Sequence, residues 1–225
     1  MSVRDNLMRI NERIAQVTRK VGRDPAEITL IAVTKTFGVE TIREAIEAGI
    51  RDIGENRVQE AKEKHALIGD RVIWHLVGHL QTNKTKDALK IFSLIHSLDS
   101  RHLAEEIEKR TEKTVNCLVE VNTSKEATKF GIAAETVFHF FETLSEFKRI
   151  NIQGLMTIGP GWAVTDPEAS RPCFKQLRDL RDELAQELDK PLPVLSMGMS
   201  SDFETAVEEG STMIRIGTAL FGARS

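Results

Sequence analysis

A lysine that closes a β-branched run is the first group in this 225-residue sequence with chemistry to offer. The run Ile28-Thr29-Leu30-Ile31-Ala32-Val33 leads into Thr34-Lys35-Thr36. At the rim of a sheet, desolvation and neighbouring cations lower an amine's pKa, and such an amine forms a Schiff base with a carbonyl compound. Position alone favours the plainer reading, a solvated lysine that opens the next loop. A second group lies near the other end of the chain, in Met213-Ile214-Arg215-Ile216-Gly217-Thr218. An arginine between two isoleucines is costly unless an anionic or hydrogen-bonding partner meets it, and Gly217-Thr218 opens a final turn whose backbone N–H groups can face an anion. The third is Ser196-Met197-Gly198-Met199-Ser200-Ser201-Asp202, a glycine and serine turn that starts a helix. Each turn alone is ordinary strand-to-helix chemistry. Gathered around one lysine, they fit a phosphate-bearing carbonyl cofactor.

Two further stretches carry polar groups of less certain use. In Trp74-His75-Leu76-Val77-Gly78-His79 the two histidines lie four apart. On a helix that spacing suggests a metal pair, but on a strand and its loop it means little, and no carboxylate completes a site. No metal is expected, and His75 reads as an imidazole lining the barrel mouth. Asn56, in Gly54-Glu55-Asn56-Arg57, either caps the following helix or reaches the cofactor.

The elements that must position these groups follow from periodicity. Leu7, Ile10, Ile14 and Val17 recur at helical spacing over residues 3–21, until Gly22 and Pro25 stop the helix. After it, short β-branched runs alternate with charged helical stretches. The runs are 28–33, 51–53, 72–77, 93–98, 115–121, 152–158, 192–197 and 213–216; the helical stretches are 39–48, 57–68, 101–111, 134–147, 166–188 and 202–209. Alternation excludes a sandwich or a helical bundle, and eight runs are the number that closes a (β/α)8 TIM barrel. No strand–GxGxxG–helix unit supports a dinucleotide-binding sheet instead. The expected fold is α/β: one barrel domain over residues 1–225, with an extra N-terminal helix and loops trimmed below the usual ~250 residues. In such a barrel the loops after strands seven and eight often form a phosphate site, and strand eight neighbours strand one. The cradle therefore falls beside Lys35.

Composition narrows the function classes. The chain is 40% hydrophobic and 29% charged, and 31 Lys+Arg against 34 Asp+Glu leave a net −3, which advertises neither nucleic acid nor an anionic membrane. Cys117 and Cys173 are too few for a disulfide framework or zinc cluster. No apolar run reaches the roughly 18 to 20 residues of a membrane span, and the N-terminal residues do not read as a secretory signal. A cytoplasmic protein, by its size a monomer, is expected.

Taken in order, Thr34-Lys35, Gly54-Glu55-Asn56-Arg57-Val58-Gln59-Glu60, the stretch 74–84, Gly154-Leu155-Met156, the stretch 196–202 and the stretch 215–222 resemble the pyridoxal phosphate homeostasis proteins, the YggS/PLPBP family. The likeness runs from about residue 28 to Arg224. It implies a barrel similar to the N-terminal domain of bacterial alanine racemases, without their second domain. It further implies that Lys35 holds pyridoxal 5′-phosphate as an internal aldimine, that Ser200, Gly217 and Thr218 bind its phosphate, that Arg215 faces the pyridine nitrogen, and that Asn56 and His75 line the pocket. Many relatives have tyrosine where this chain has Arg57, and the chain contains no tyrosine at all. That excludes the tyrosine base that alanine racemases contribute from a partner subunit.

Physical chemistry points the same way. An arginine, charged below about pH 12, keeps the ring nitrogen unprotonated and the ring a poor electron sink. The expectation is a cofactor-binding homeostasis protein rather than an enzyme, with pyridoxal phosphate-dependent apoenzymes as candidate recipients. The alternatives are a racemase or a Schiff-base aldolase on the same lysine, and an interaction scaffold that binds no cofactor.

Overall fold

The computed structural model describes residues 2–222; Met1 and the tail carrying Arg224, where the sequence likeness ends, lie outside the described residues. Helix α1 (Val3–Lys20) starts at Ser2, whose hydroxyl accepts from the Asp5 N–H while the Asp5 carboxylate accepts from the Ser2 N–H, a reciprocal cap. Leu7, Ile10, Ile14 and Val17 form its buried stripe.

The rest alternates as expected. The strands are β1 (Thr29–Val33), β2 (Asp52–Glu55), β3 (Ile73–Leu76), β4 (Leu94–Leu98), β5 (Val115–Asn122), β6 (Ile132–Ala133), β7 (Ile150–Met156), β8 (Val194–Met199) and β9 (Met213–Ile216). The remaining helices are α2 (Val39–Ala48), α3 (Val58–Ile68), α4 (Thr85–Ala88), α5 (Arg101–Arg110), α6 (Val137–Leu144), α7 (Arg171–Glu187), α8 (Phe203–Glu208) and α9 (Thr218–Phe221). The parallel order β4-β3-β2-β1-β9-β8-β7-β5 closes through a β4–β5 pairing, giving an eight-stranded (β/α)8 barrel. Two-residue β6 lies outside the closed barrel, pairing in parallel with the last two residues of β5, and it is too short to show a period in the sequence.

Strand alternation sorts the side chains. Ala32, Ile214 and Ile216 join the large core between barrel and helices, while Ile31, Val33, Leu94, Leu118 and Met156 fill two small clusters inside the barrel. Arg215, between Ile214 and Ile216, therefore points inward. That resolves the oddity of its sequence: the isoleucines face the helices and the guanidinium does not.

Helix α1 packs on α8, α9 and α2. Its Asn6 side chain donates to the Leu220 carbonyl of α9, and Arg13 and Lys20 pair with Glu204 and Glu208 of α8. Both cysteines are free and buried. No helix among the described residues is long and apolar enough to cross a membrane.

Candidate functional site

At the C-terminal mouth of the barrel lies a cleft of about 370 Å³, lined by Lys35, Asn56, Ser200, Arg215, Gly217 and Thr218 between apolar walls that include Val33, Val77 and Ile158. That volume sits within the usual span for small-molecule sites, roughly 300–1,000 Å³. Six of the seven residues singled out from sequence meet here. His75 does not line it.

One end of the cleft is built where two backbone N–H groups meet a serine. The Ser200 hydroxyl accepts from the N–H groups of Gly217 (3.3 Å) and Ala219 (3.2 Å). Two backbone donors thus converge on one oxygen where β9 turns into α9. Ser200 is brought there by the end of β8: Gly198 has φ +93°, and a Cβ on it would come within 2.5 Å of the Ala206 side chain. The turn is then fixed by Asp202, whose carboxylate accepts from the Met199 N–H (2.7 Å) and the Ser170 hydroxyl (2.7 Å).

Arg215 forms the floor. It is 4% exposed, donates to the Ser196 hydroxyl (2.6 Å) and the Thr157 carbonyl (2.8 Å), and has no carboxylate in ion-pair contact among the described residues. Burial pulls its pKa down to about 10, against the pull of Glu120 and Asp202. It remains a cation at neutral pH.

Lys35, half-buried, stands on a loop that is anchored on both sides. Lys64 of α3 is buried and donates to the Thr34 carbonyl (2.6 Å), Glu55 (2.6 Å) and Glu60 (2.7 Å). The Thr34 hydroxyl donates to Glu55 (2.5 Å) and the Thr36 N–H to Glu60 (2.6 Å). Thr36 takes φ +70°, a left-handed conformation that a threonine holds only when its surroundings demand it. Burial raises the Glu55 pKa despite hydrogen bonds from Lys64 and Thr34. For Glu60 burial pushes upward too, but the bonds from Lys64 and the Thr36 N–H outweigh it and hold the carboxyl low. Beside this anchor the Asn56 side-chain oxygen is buried without a hydrogen-bond partner, and Asn56 lines the cleft. Of the two uses open to Asn56 in the sequence, capping is not realised: the N-cap of α3 is Arg57, without a side-chain bond. Gly78 allows the close approach, since a Cβ there would meet the Asn56 carbonyl oxygen at 2.6 Å.

His75 lies inside the barrel as a link in a buried chain. Its Nε2 is 2.9 Å from Asp52 and its Nδ1 3.0 Å from His96 Nε2; His96 Nδ1 is 2.9 Å from the Ser196 hydroxyl, which accepts from Arg215. Burial, with His75 and Arg215 nearby, holds the His96 pKa well below 6.5. Neutral His96 has one donating and one accepting ring nitrogen, so it joins the Ser196 hydroxyl on one side to His75 on the other, and the line of contacts runs from Arg215 through Ser196, His96 and His75 to the Asp52 carboxylate. The reading of His75 as a mouth-lining imidazole is corrected accordingly; it reaches the cleft only through His96, Ser196 and Arg215. Sequence reading missed Asp52, His96, Ser196, Glu55, Glu60 and Lys64. Only the Glu60–Lys64 spacing of four on a helix carried a signal.

Chemically, the cleft joins a seat for an anion, a buried cation and an amine at the rim, the set needed to hold an anionic carbonyl compound.

The family described as "Alanine racemase, N-terminal domain" matches residues 6–225. The chain is 45% identical to the pyridoxal phosphate homeostasis protein of Aquifex aeolicus over 228 residues, covering 100% of this chain and 99% of that one. It matches the structure of PipY from Synechococcus elongatus with PLP bound at 38% identity and a TM-score of 0.80, covering 95% of this chain and 100% of that one. An alanine racemase of Clostridium difficile shares the fold at a TM-score of 0.78, with 16% identity over 99% of this chain and 57% of that one.

Proposed function

The chain belongs to the pyridoxal phosphate homeostasis protein family, built on the alanine racemase N-terminal domain, and from that premise we propose that it binds pyridoxal 5′-phosphate, holds it on Lys35 as a Schiff base, and releases it to apoenzymes that need it. The observation that carries this reading is the convergence of the Gly217 and Ala219 N–H groups on Ser200 in the same cleft as Lys35 and Arg215. Ser200, Gly217 and Thr218 take the phosphate, Arg215 faces the ring nitrogen, and Asn56, whose side-chain oxygen has no partner, accepts a hydrogen bond from the ligand. His75 acts at a distance, through the chain that holds Arg215. The whole chain serves as one cofactor-binding barrel domain, and its free cysteines suit a reducing cytoplasm.

When bound, pyridoxal phosphate supplies an electrophilic carbonyl carbon and a ring able to accept electrons. This chain's residues favour the first and blunt the second. The anchored Thr34–Thr36 loop aims the Lys35 amine, while Arg215, a cation tied to Ser196 and Thr157, offers the ring nitrogen no proton it will give up. With no tyrosine in the sequence, the proton-transfer base of a racemase is not at hand from a tyrosine of this chain. The reading is therefore a carrier and not an enzyme.

The test is to mix the loaded protein with a pyridoxal phosphate-dependent apoenzyme, and separately with L-alanine. Recovery of the apoenzyme's activity with no D-alanine formed supports the carrier. D-alanine produced at enzymic turnover rates makes it a racemase instead.

A further inference from the structure

One acidic side chain at the barrel mouth has no part in the cofactor site just described. Glu120 lies two residues after Leu118 on β5, on the strand face that turns into the barrel, whereas Val119 and Val121 join the outer core. It is 5% exposed, its carboxylate accepts no hydrogen bond from another described residue, and, unlike Glu55 Oε2 and Asn56 Oδ1, its oxygens are not sealed from the pocket. Its carboxyl borders a pocket of about 140 Å³ shared with Asn122, Lys129, Thr157 and Ile158. Ile158 is also a wall of the main cleft, so the two spaces adjoin.

A buried carboxylate without a donor is expensive. The groups around Glu120 do not relieve that cost by contact. Arg215, from β9, attracts it across a gap but spends its bonds on Ser196 and Thr157. Asp99, beyond β4, repels it and is paired with His79. Lys129, on the loop between β5 and β6, is held by Glu126 (2.7 Å) and the Gly159 carbonyl (2.6 Å). Thr157, after β7, turns its hydroxyl to the Val121 carbonyl. Burial, with Asp99 behind it, raises the Glu120 carboxyl to about 7. What is missing at this place is a compact donor with a positive charge. Glu120 is the carboxylate that lines the space, the Lys129 ammonium on its wall is already engaged by Glu126 and the Gly159 carbonyl, and the volume admits a small head group.

We propose that the pocket beside Ile158 is an ammonium subsite, in which Glu120 receives the –NH3+ group of a primary amine or amino acid that enters next to the cofactor cleft. Binding exchanges one proton for one cation: below neutral pH the carboxylic acid loses its proton to solvent as the ammonium ion arrives, and above it the carboxylate is ready. Affinity therefore rises with pH up to about 7 and levels off beyond. The subsite does not depend on how Lys35 is used, and it is tested on protein stripped of cofactor.

The probe is ethylammonium chloride, titrated into the stripped protein carrying carboxyl-labelled glutamate and followed by carbon NMR from about pH 5.5 to 8.5. Ethanol, of similar shape and uncharged, is the control. One glutamate signal titrating near neutrality, moved by ethylammonium and absent from Glu120→Gln, supports the subsite. Its affinity for the wild type should fall close to tenfold per pH unit below about 7, and Glu120→Asp should keep part of it. Equal binding to wild type and Glu120→Gln overturns the proposal, and so does an affinity independent of pH or no binding at all. Loss of Schiff-base formation at Lys35 leaves all these readings in place, so the two claims fail separately.

Discussion

Ser200 already accepts two backbone N–H groups at the turn where a phosphate oxygen is proposed to sit. Hydrogen bonds to a charged acceptor are worth roughly 1.5–3 kcal/mol each. Removing the hydroxyl in Ser200→Ala takes away one donor to the phosphate and leaves the two backbone donors in place. Retention of pyridoxal phosphate should weaken about tenfold or more, with thermal stability nearly unchanged, as equilibrium dialysis and calorimetry would measure. An unchanged affinity removes Ser200 from the site. At this scale the sequence was informative wherever a residue's type conflicted with its surroundings. A lysine ending a β-branched run and an arginine between isoleucines both announced themselves. His75 misled, because a histidine in a strand has the same neighbours in sequence whether it faces the mouth or the middle of the barrel. Ser196 and His96 gave no signal, since their use depends on strands about one hundred residues apart meeting across the barrel.

The β1–α2 loop and the start of α3 form one working element. Lys64 ties the carbonyl before Lys35 to two carboxylates, and Glu60 takes the N–H after it. Removing one partner of a buried ion pair costs on the order of 3–5 kcal/mol because the other charge is left uncompensated. Lys64→Met should strand Glu55, whose second oxygen already lacks a partner, and lower the melting temperature on the order of 10 °C. It should also slow the appearance of Schiff-base absorbance on mixing with pyridoxal phosphate, since the loop carrying Lys35 is released. A variant that melts and loads like the wild type contradicts this role. Strands were legible at this scale because eight separate β-branched runs stood between charged stretches. Short elements were not: β6 has two residues and α4 and α9 four each, too few to complete a period. The shared anchor was hidden for another reason, since spacing shows Glu60 and Lys64 as neighbours on a helix but not that the pair lies under the lysine loop.

Across the whole molecule, two buried groups at the barrel mouth and middle pull stability in opposite directions with pH. Glu120 is raised from 4.5 to about 7 by burial and by Asp99. Its favourable protonated form contributes fully below about pH 4.5, and that contribution is lost as pH rises through about 7. His96 is lowered well below 6.5 by burial, then by His75 and Arg215. Its contribution is present above 6.5 and lost as pH falls. Glutamine mimics the protonated carboxyl, so Glu120→Gln should match the wild type near pH 4.5 and gain on it up to about pH 7, with a plateau of about 3 kcal/mol above. Melting temperatures across that range measure the difference; a gap that does not grow with pH refutes the assignment. The closed barrel was the most legible feature of the sequence, since eight alternating units leave few other closures. What α1 does was less so: its stripe predicted a packed helix, but only the structure shows it backing α8 and α9, and holding through Asn6 the helix that follows Gly217.

The central claim is that Lys35 carries the cofactor. Its most direct test is borohydride reduction of the pyridoxal phosphate-loaded protein, followed by peptide mapping of the wild type and Lys35→Ala. Lys35 should bear the pyridoxyl group in the wild type, and the variant should retain at most cofactor held noncovalently through its phosphate. A pyridoxyl group trapped in equal yield on another lysine, in either protein, would contradict the account.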